Sequence, residues 1–373
     1  MSIGKLISQK EGFTAFIPDI FPTSALLEFP AEIIAKAATA ERLIGKLDGI
    51  THVLPDADFF LSMYIVKDAT CSSQIEGTRA TMMDTLEMSA GVNVKDTDAD
   101  DILFYIKALN YGTKRLKEFP FSLRFLLELH KELMDGARSS HISDPGEFRK
   151  SQNWIGGTTL KNAAFVPPPI NEMNIALDYL EKFIHNTSLM PVLQAGILHA
   201  QFETIHPFLD GNGRTGRLLI TLFLHERAIL ENPVLFLSSY FKKHQQLYYD
   251  KLNAYHNNKS NEWLHFYLDG VIEIANESIA TSKKITALRE EDMRKIQALG
   301  KREATSGVLF LQYLFKNPIA SGSMVAERMK FSRAGSGKLI DRFVDLGILT
   351  PLDENAKWGK MYIYKKYVTI FSE

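Results

Sequence analysis

His206-Pro207-Phe208-Leu209-Asp210-Gly211-Asn212-Gly213-Arg214-Thr215-Gly216-Arg217 is the most informative stretch of this 373-residue chain. A histidine and an aspartate lie four residues apart, just ahead of a Gly-Asn-Gly turn. Arg214 and Arg217 follow at a spacing of three, on one face of the helix that starts there. Glycines let backbone N–H groups approach a ligand closely. A helix N-terminus offers unpaired amides and partial positive charge to an anion. The two arginines add full charges with forked donors suited to phosphate. Asp210 supplies the hard oxygens with which a divalent cation bridging phosphates is held. Histidine is the side chain that exchanges protons near neutral pH, which makes His206 the candidate base. Base, metal ligand, anion nest and two phosphate clamps in one short stretch point to phosphoryl or nucleotidyl transfer.

Gly211 to Gly216 also spells G-x-G-x-x-G, the dinucleotide fingerprint. That motif needs a strand before it and a βαβ unit around it. Here Val192, Leu198, Phe202 and Ile205 repeat at helical spacing over Pro191 to Ile205, and helix follows as well, so the dinucleotide reading fails. No G-x-x-x-x-G-K-[ST] sequence is present. His199, seven residues before His206, is expected to pack in the core.

The stretch resembles the signature of the Fic family, H-x-F-x-[DE]-G-N-G-R-x-x-R, and all eight defined positions match. Pro145-Gly146-Glu147-Phe148-Arg149 and the segment Trp154 to Pro169 are similar to the region before and through that family's substrate-binding flap. Leu237 to Leu252, with Tyr248-Tyr249, resembles the helix that closes its nucleotide pocket. The likeness runs over roughly residues 60–275. It implies transfer of AMP from ATP to a Tyr, Thr or Ser hydroxyl of a protein. By the family's roles His206 is the general base and Asp210 positions Mg²⁺. Gly211, Asn212 and Gly213 form the anion hole. Arg214 meets the β-phosphate region and Arg217 the γ-phosphate, with Thr215 and Gly216 completing the ATP-binding turn. Tyr249, with Tyr248 beside it, lies near the nucleoside. The flap around Ile155 to Phe165 holds the target's main chain as an added strand.

Upstream, Ser72-Ser73-Gln74-Ile75-Glu76-Gly77 resembles the family's inhibitory pattern [ST]-x-x-x-E-[GN], in the class whose inhibitory helix precedes the core. The resemblance implies that Glu76 pairs with Arg217 and takes away the cation meant for the γ-phosphate. At an effective dielectric of 20, a pair about 4 Å apart interacts by about 4 kcal/mol before desolvation. Removal of AMP assisted by Glu76 belongs to the same family but is not readable here.

Outward from these motifs the pattern is mostly α. Helices are expected at Pro30–Leu47, Ala57–Lys67, Ala69–Glu87 with a break near Gly77, Asp98–Glu118, Leu123–Met134, Ile170–Phe183, Pro191–Ile205, Asn212–Leu224 and Gln245–Ala254. Trp154 to Pro169 is expected to form a small β-hairpin, since Gly and polar residues separate two extended pieces and three prolines follow. Three helices at Ser306–Phe315, Ser323–Met329 and Arg333–Leu346, then a strand at Lys360–Tyr364, follow the order of a winged helix-turn-helix. The expected division is an N-terminal helical region at 1–100 carrying the inhibitory helix at about 68–87, a Fic core at 101–275, a helical connector at 276–302 and the winged domain at 303–373.

Composition bounds the alternatives. Hydrophobic residues are 45% and charged residues 23%, which excludes a largely disordered chain. A formal net charge of −1 leaves no global basic field for nucleic acid or an anionic membrane. One cysteine, Cys71, makes no intrachain disulfide and no Cys-based zinc site, so a reducing, cytoplasmic setting is expected. Met1 to Ile20 does not read as a signal peptide. No apolar run approaches the ~20 residues of a membrane span; Leu218–Leu224 reads as a buried helix. In the third winged-domain helix Arg333, Lys338 and Arg342 are offset by Asp341 and Asp345. Partner docking is therefore preferred there, and a DNA-binding regulator with a nucleotide-sensing core is the alternative. A second copy of the chain is a further expected partner, and a donor other than ATP stays open.

Overall fold

The computed structural model describes residues 3–53, 57–92, 98–137, 144–356 and 359–372. In chain order its elements are strands β1 (Gly4–Ser8) and β2 (Thr14–Pro18), and helices α1 (Ala31–Val53), α2 (Ala57–Ile75), α3 (Met82–Ser89), α4 (Ala99–Arg115), α5 (Leu123–Met134), α6 (Ile170–Ile184), α7 (Pro191–Ile205), α8 (Asn212–Glu226), α9 (Ser238–Lys243), α10 (Gln245–His256) and α11 (Ser260–Gln297). There follow α12 (Lys301–Lys316), β3 (Ile319–Ser321), α13 (Gly322–Met329), α14 (Arg333–Asp345), β4 (Thr350–Pro351), β5 (Met361–Ile363) and α15 (Lys365–Ser372). The fold is mostly helical, as expected. No helix among the described residues is long and apolar enough to cross a membrane.

Two compact units emerge. The first comprises Met1–Asp48, Asp68–Arg79 and Asp100–Asn276. At its centre α7 is buried on every side from Val192 to Ile205, which is why its apolar stripe is wider than one face. Its polar side chains are therefore bonded internally: Gln194 Nε2 donates to the Phe183 carbonyl at 2.6 Å, and Thr204 Oγ1 to that of Ala200 at 2.7 Å. The run Leu218–Leu224 on α8 is buried as well. Gly196 lets α7 and α11 meet closely. Trp263 Nε1 donates to its carbonyl at 2.9 Å, and the Tyr267 ring fills the space where a side chain would stand.

The break expected near Gly77 is present: the helix from Ala57 runs to Ile75, and a separate helix starts at Met82 with a capping box between Thr81 and Asp84. Two local readings change. The expected flap hairpin is reduced to one bridge, Ile155 with Phe165. Gly156 and Gly157 both take left-handed φ (68° and 69°), which turns the chain out of extended geometry. The antiparallel hairpin β1–β2, unread in the sequence, joins the flap through the Phe16 N–H donating to the Val166 carbonyl at 2.9 Å.

The second unit comprises Gly49–Lys67, Ala80–Ala99 and Glu277–Glu373. Its sheet has the antiparallel order β3-β5-β4. Ser321 caps α13 and Ser332 caps α14 through their hydroxyls. Buried Asp292 accepts from Tyr364 Oη at 2.6 Å and from Lys295 Nζ at 2.7 Å. Strand β3 and helix α15 went unread because a three-residue strand and an eight-residue terminal helix carry little periodicity. The sequence also predicts a polar turn around Asp353 to Gly359, of which residues 357 and 358 lie outside the described residues.

Gly196→Ala drives a methyl into the Tyr267 ring and should cost about 1–3 kcal/mol. A lower urea midpoint at unchanged slope is the expected result.

Candidate active site

The loop between α7 and α8 is held mainly by its own carbonyls. His206 closes α7 in the left-handed region (φ 48°, ψ 60°), and its N–H donates to the Phe202 carbonyl at 2.9 Å. The His206 carbonyl accepts from Arg149 Nε at 3.0 Å and from Asn153 Nδ2 at 3.2 Å. Arg149 also donates to the carbonyls of Ser151 and Pro168, and burial lowers its guanidinium to about 10. Asn212 clamps Phe208 from both sides: Oδ1 accepts the Phe208 N–H at 2.9 Å and Nδ2 donates to its carbonyl at 2.8 Å. The Asn212 side chain is thereby committed to the loop. His130 stacks on the Phe208 ring at 3.7 Å. Its Nδ1 accepts the Gly146 N–H at 3.0 Å, which leaves Nε2 as donor to the Asp210 carbonyl, also at 3.0 Å.

The His206 ring keeps 17% of its side-chain surface exposed, while Nδ1 is sealed and has no hydrogen-bond partner among the described residues. Facing it at 3.7 Å is Glu203 Oε2, one turn back on α7. Burial alone would raise the Glu203 carboxyl; the contact from His206 and the charge of Arg217 outweigh it and hold it below the usual carboxylate range.

Helix α8 opens on Gly211 (φ 78°), and among the described residues no side chain caps its first turn. Asp210 Oδ1 accepts the Gly211 N–H at 2.7 Å. Arg214 is buried, with Asp101 and Asp210 each 3.8 Å away and its Nε without a partner among the described residues. Arg217 is deeper. Its Nε donates to Ser72 Oγ at 2.8 Å, and its Nη2 to the Ser72 carbonyl at 3.0 Å and to Glu76 Oε1 at 2.7 Å. Burial would lower this guanidinium; Glu76 reverses the direction and raises it.

Glu76 is aimed by the end of α2. The Thr78 N–H donates to the Ser73 carbonyl and the Gly77 N–H to that of Gln74, both at 3.1 Å, with Gly77 at φ 94°. This is a Schellman cap with glycine at the left-handed position. The carboxylate then lies in the space over Gly213 that a Cβ would fill. Ser72, Glu76, Gly77, Gly213 and Arg217 thus form one cluster.

The other predicted residues are placed less directly. Thr215 and Gly216 are buried, with Gly216 against Phe202 and Glu203 and its carbonyl 2.7 Å from His199 Nδ1. His199 Nε2 meets Tyr248 Oη at 2.8 Å, a packing arrangement. Tyr248 is buried, whereas Tyr249 is 40% exposed. Among the described residues no three His, Cys, Asp or Glu side chains form a metal-holding group. The Asp210 carboxylate, 41% exposed, is the oxygen donor at the loop. One such carboxylate suffices for Mg²⁺, which is commonly held by one or two carboxylates together with substrate phosphates. Arg149, Asn153, His130 and Glu203 were missed as site residues. Glu203 had a signal in its spacing of three from His206, and Arg149 stands in the Pro145–Arg149 run already singled out.

A family model described as Fic/DOC family matches residues 120–224, and one described as Fic/DOC family N-terminal matches residues 34–114. The protein adenylyltransferase Fic of Drosophila virilis is 34% identical over 161 residues, 40% of this chain and 30% of the relative. The chain therefore spans under a third of the curated relatives it matches. A Fic family protein from Desulfovibrio desulfuricans G20 has a TM-score of 0.58 at 18% identity, covering 90% of this chain and 97% of that one. Fic-1 from C. elegans has a TM-score of 0.53 at 18% identity, covering 68% and 73%. These two likenesses establish the shared fold.

Burial lowers His130 from the ordinary 6.5 to about 4. Between those values the unfolded chain binds more protons than the folded one, so stability falls as pH drops from about 6.5 toward 4. The loss from this one ring should reach about 3 kcal/mol. Urea midpoints measured from pH 7.5 down to 4.5 should fall, and less steeply in His130→Gln.

Proposed function

Since this chain belongs to the Fic/DOC family, we propose that it transfers AMP from ATP to a Tyr, Thr or Ser hydroxyl of a protein, and that Glu76 holds it in a restrained state. The observation that carries the reading is the meeting of His206, the open N-terminus of α8 and two buried arginines around one loop. The triphosphate would lie over the amides of Gly211, Asn212 and Gly213, where backbone donors and helix charge converge. Arg214, whose Nε lacks a partner among the described residues, would take the β-phosphate region. Arg217 would take the γ-phosphate, and exposed Tyr249 would border the nucleoside. Asp210 would hold Mg²⁺, which neutralises phosphate charge when bound. His206 would accept the hydroxyl proton as the oxygen attacks the α-phosphorus. The new O–P bond forms, the bond to the bridging oxygen breaks, and pyrophosphate leaves. The flap bridge at Ile155 and Phe165 would seat the target's backbone.

Glu76 supports the second half of the reading. Its carboxylate neutralises Arg217 at 2.7 Å and stands over Gly213, where a terminal phosphate would otherwise come to rest. Even about 2 kcal/mol of net restraint corresponds to a roughly 30-fold shift in population.

Glu76→Gly should raise incorporation of label from α-labelled ATP by roughly 10- to 30-fold. Intact-mass spectrometry should then find an added adenylate on the chain or its target. His206→Ala in that background should abolish transfer while calorimetry still detects ATP binding. An unchanged rate on removing Glu76 would sink the restraint.

A further inference from the structure

We propose that Glu203 is a positioning residue for His206: its buried carboxylate holds the proton on Nδ1, so that Nε2 is the nitrogen that receives the proton of the attacking hydroxyl. This rests on His206 serving as base in the reaction proposed above. The two side chains face each other one turn apart, with Nδ1 of His206 3.7 Å from Oε2 of Glu203. Nδ1 of one and Oε1 of the other are sealed from water without a hydrogen-bond partner among the described residues. A buried carboxylate left unpaired is costly, so its retention points to a partner. A small rotation of either side chain closes the gap to hydrogen-bond length.

Elimination identifies that partner. Besides His206, the charged and titratable groups around Glu203 among the described residues are His199 on its own helix, Arg217 on α8, and Tyr248, Tyr249 and His256 on α10. Tyr248 Oη is engaged with His199 Nε2, and Tyr249 Oη with Gln245 Nε2. Arg217 is spent on Ser72 and Glu76. Both nitrogens of His199 are engaged, by the Gly216 carbonyl and by Tyr248 Oη. Thr204 Oγ1 donates to the Ala200 carbonyl and so accepts from His256 Nε2, which leaves His256 Nδ1 as the unprotonated nitrogen. A bare ring nitrogen offers nothing to a carboxylate. Among these three histidines, His206 Nδ1 is the nitrogen able to present a proton to Glu203.

Gly216 supplies the space. A Cβ there would overlap Glu203 Oε1 and crowd the Phe202 ring. The glycine therefore serves Glu203 from beneath rather than the phosphates from above. When Nε2 takes the hydroxyl proton the ring becomes an imidazolium, and the adjacent carboxylate stabilises that charge until the proton is released.

The test reads the tautomer in the unsubstituted full chain with ¹⁵N-labelled histidine, where Glu76 still occupies Arg217, and the kinetics in the same chain carrying Glu76→Gly. His206→Ala assigns the His206 signals among the 10 histidines. Imidazole ¹⁵N shifts at pH 8 should show His206 protonated on Nδ1. In Glu203→Met, similar in size and unable to accept strongly, the signature should shift toward the other tautomer. The same variant should lose about tenfold or more in kcat at unchanged KM for ATP. Glu203→Gln, which keeps an acceptor oxygen, should recover part of both. Should Glu203→Met fold poorly, the Gln variant carries the comparison through its partial losses. Retention of the Nδ1–H signature and of kcat in Glu203→Met, or an Nε2-protonated ring in the parent, overturns the pairing. If the Glu76→Gly chain transfers no AMP at all, the proposed reaction fails, yet the ¹⁵N signature still decides whether Glu203 sets the tautomer.

Discussion

A guanidinium buried without a counter-charge is among the costlier arrangements a protein can contain, and Arg217 is placed where it must have one. The surroundings of α8 follow from that requirement. Ser72 supplies two oxygens, and Glu76 supplies the charge. Neither comes from α8, so α2 must end at one point and in one direction. The glycine cap at Gly77 achieves this by turning the chain through a left-handed residue immediately after Glu76. Gly213 completes the fit by leaving room for the carboxylate. The cluster places a carboxylate beside the first turn of α8, between Arg217 and Gly213.

The loop carrying His206 solves a different problem. It is too irregular to satisfy its own carbonyls, and the surrounding elements bring donors to them. Arg149, Asn153, Asn212 and His130 together bond the carbonyls of His206, Phe208 and Asp210. These residues shape the loop from behind and leave its outer side to His206, Asp210 and the helix amides. Such bonding fixes the backbone that carries the His206 ring. The Glu203 contact extends this from the backbone to the ring.

Legibility varied with the range of the interaction. Residues 206–217 were readable because turn, helix start and charged face are all local, and a chain segment advertises local geometry in its own residue types. Gly77 marked a break in helix for the same reason, whereas Glu76 beside it was singled out only by its resemblance to a family pattern. The role of Arg149 was not, because its carbonyl partners come from residues 151, 168 and 206. The flap was half readable. Its prolines and glycines marked a break in helix, but Gly156 and Gly157 in left-handed geometry left one bridge where two strands were expected.

Residue order alone was enough to specify a mostly helical chain and a charged, glycine-rich turn ahead of a helix, since periodicity, turn residues and charge are properties of short windows; Glu76 was singled out by family resemblance. Which atoms meet required folding. The pairing of Glu76 with Arg217 spans 141 positions, and no local rule carries across such a distance. The same holds for the seat that Gly216 leaves for Glu203 and for the tyrosine that stays exposed. Each depends on close packing between different segments, where a shift of an ångström changes the partner.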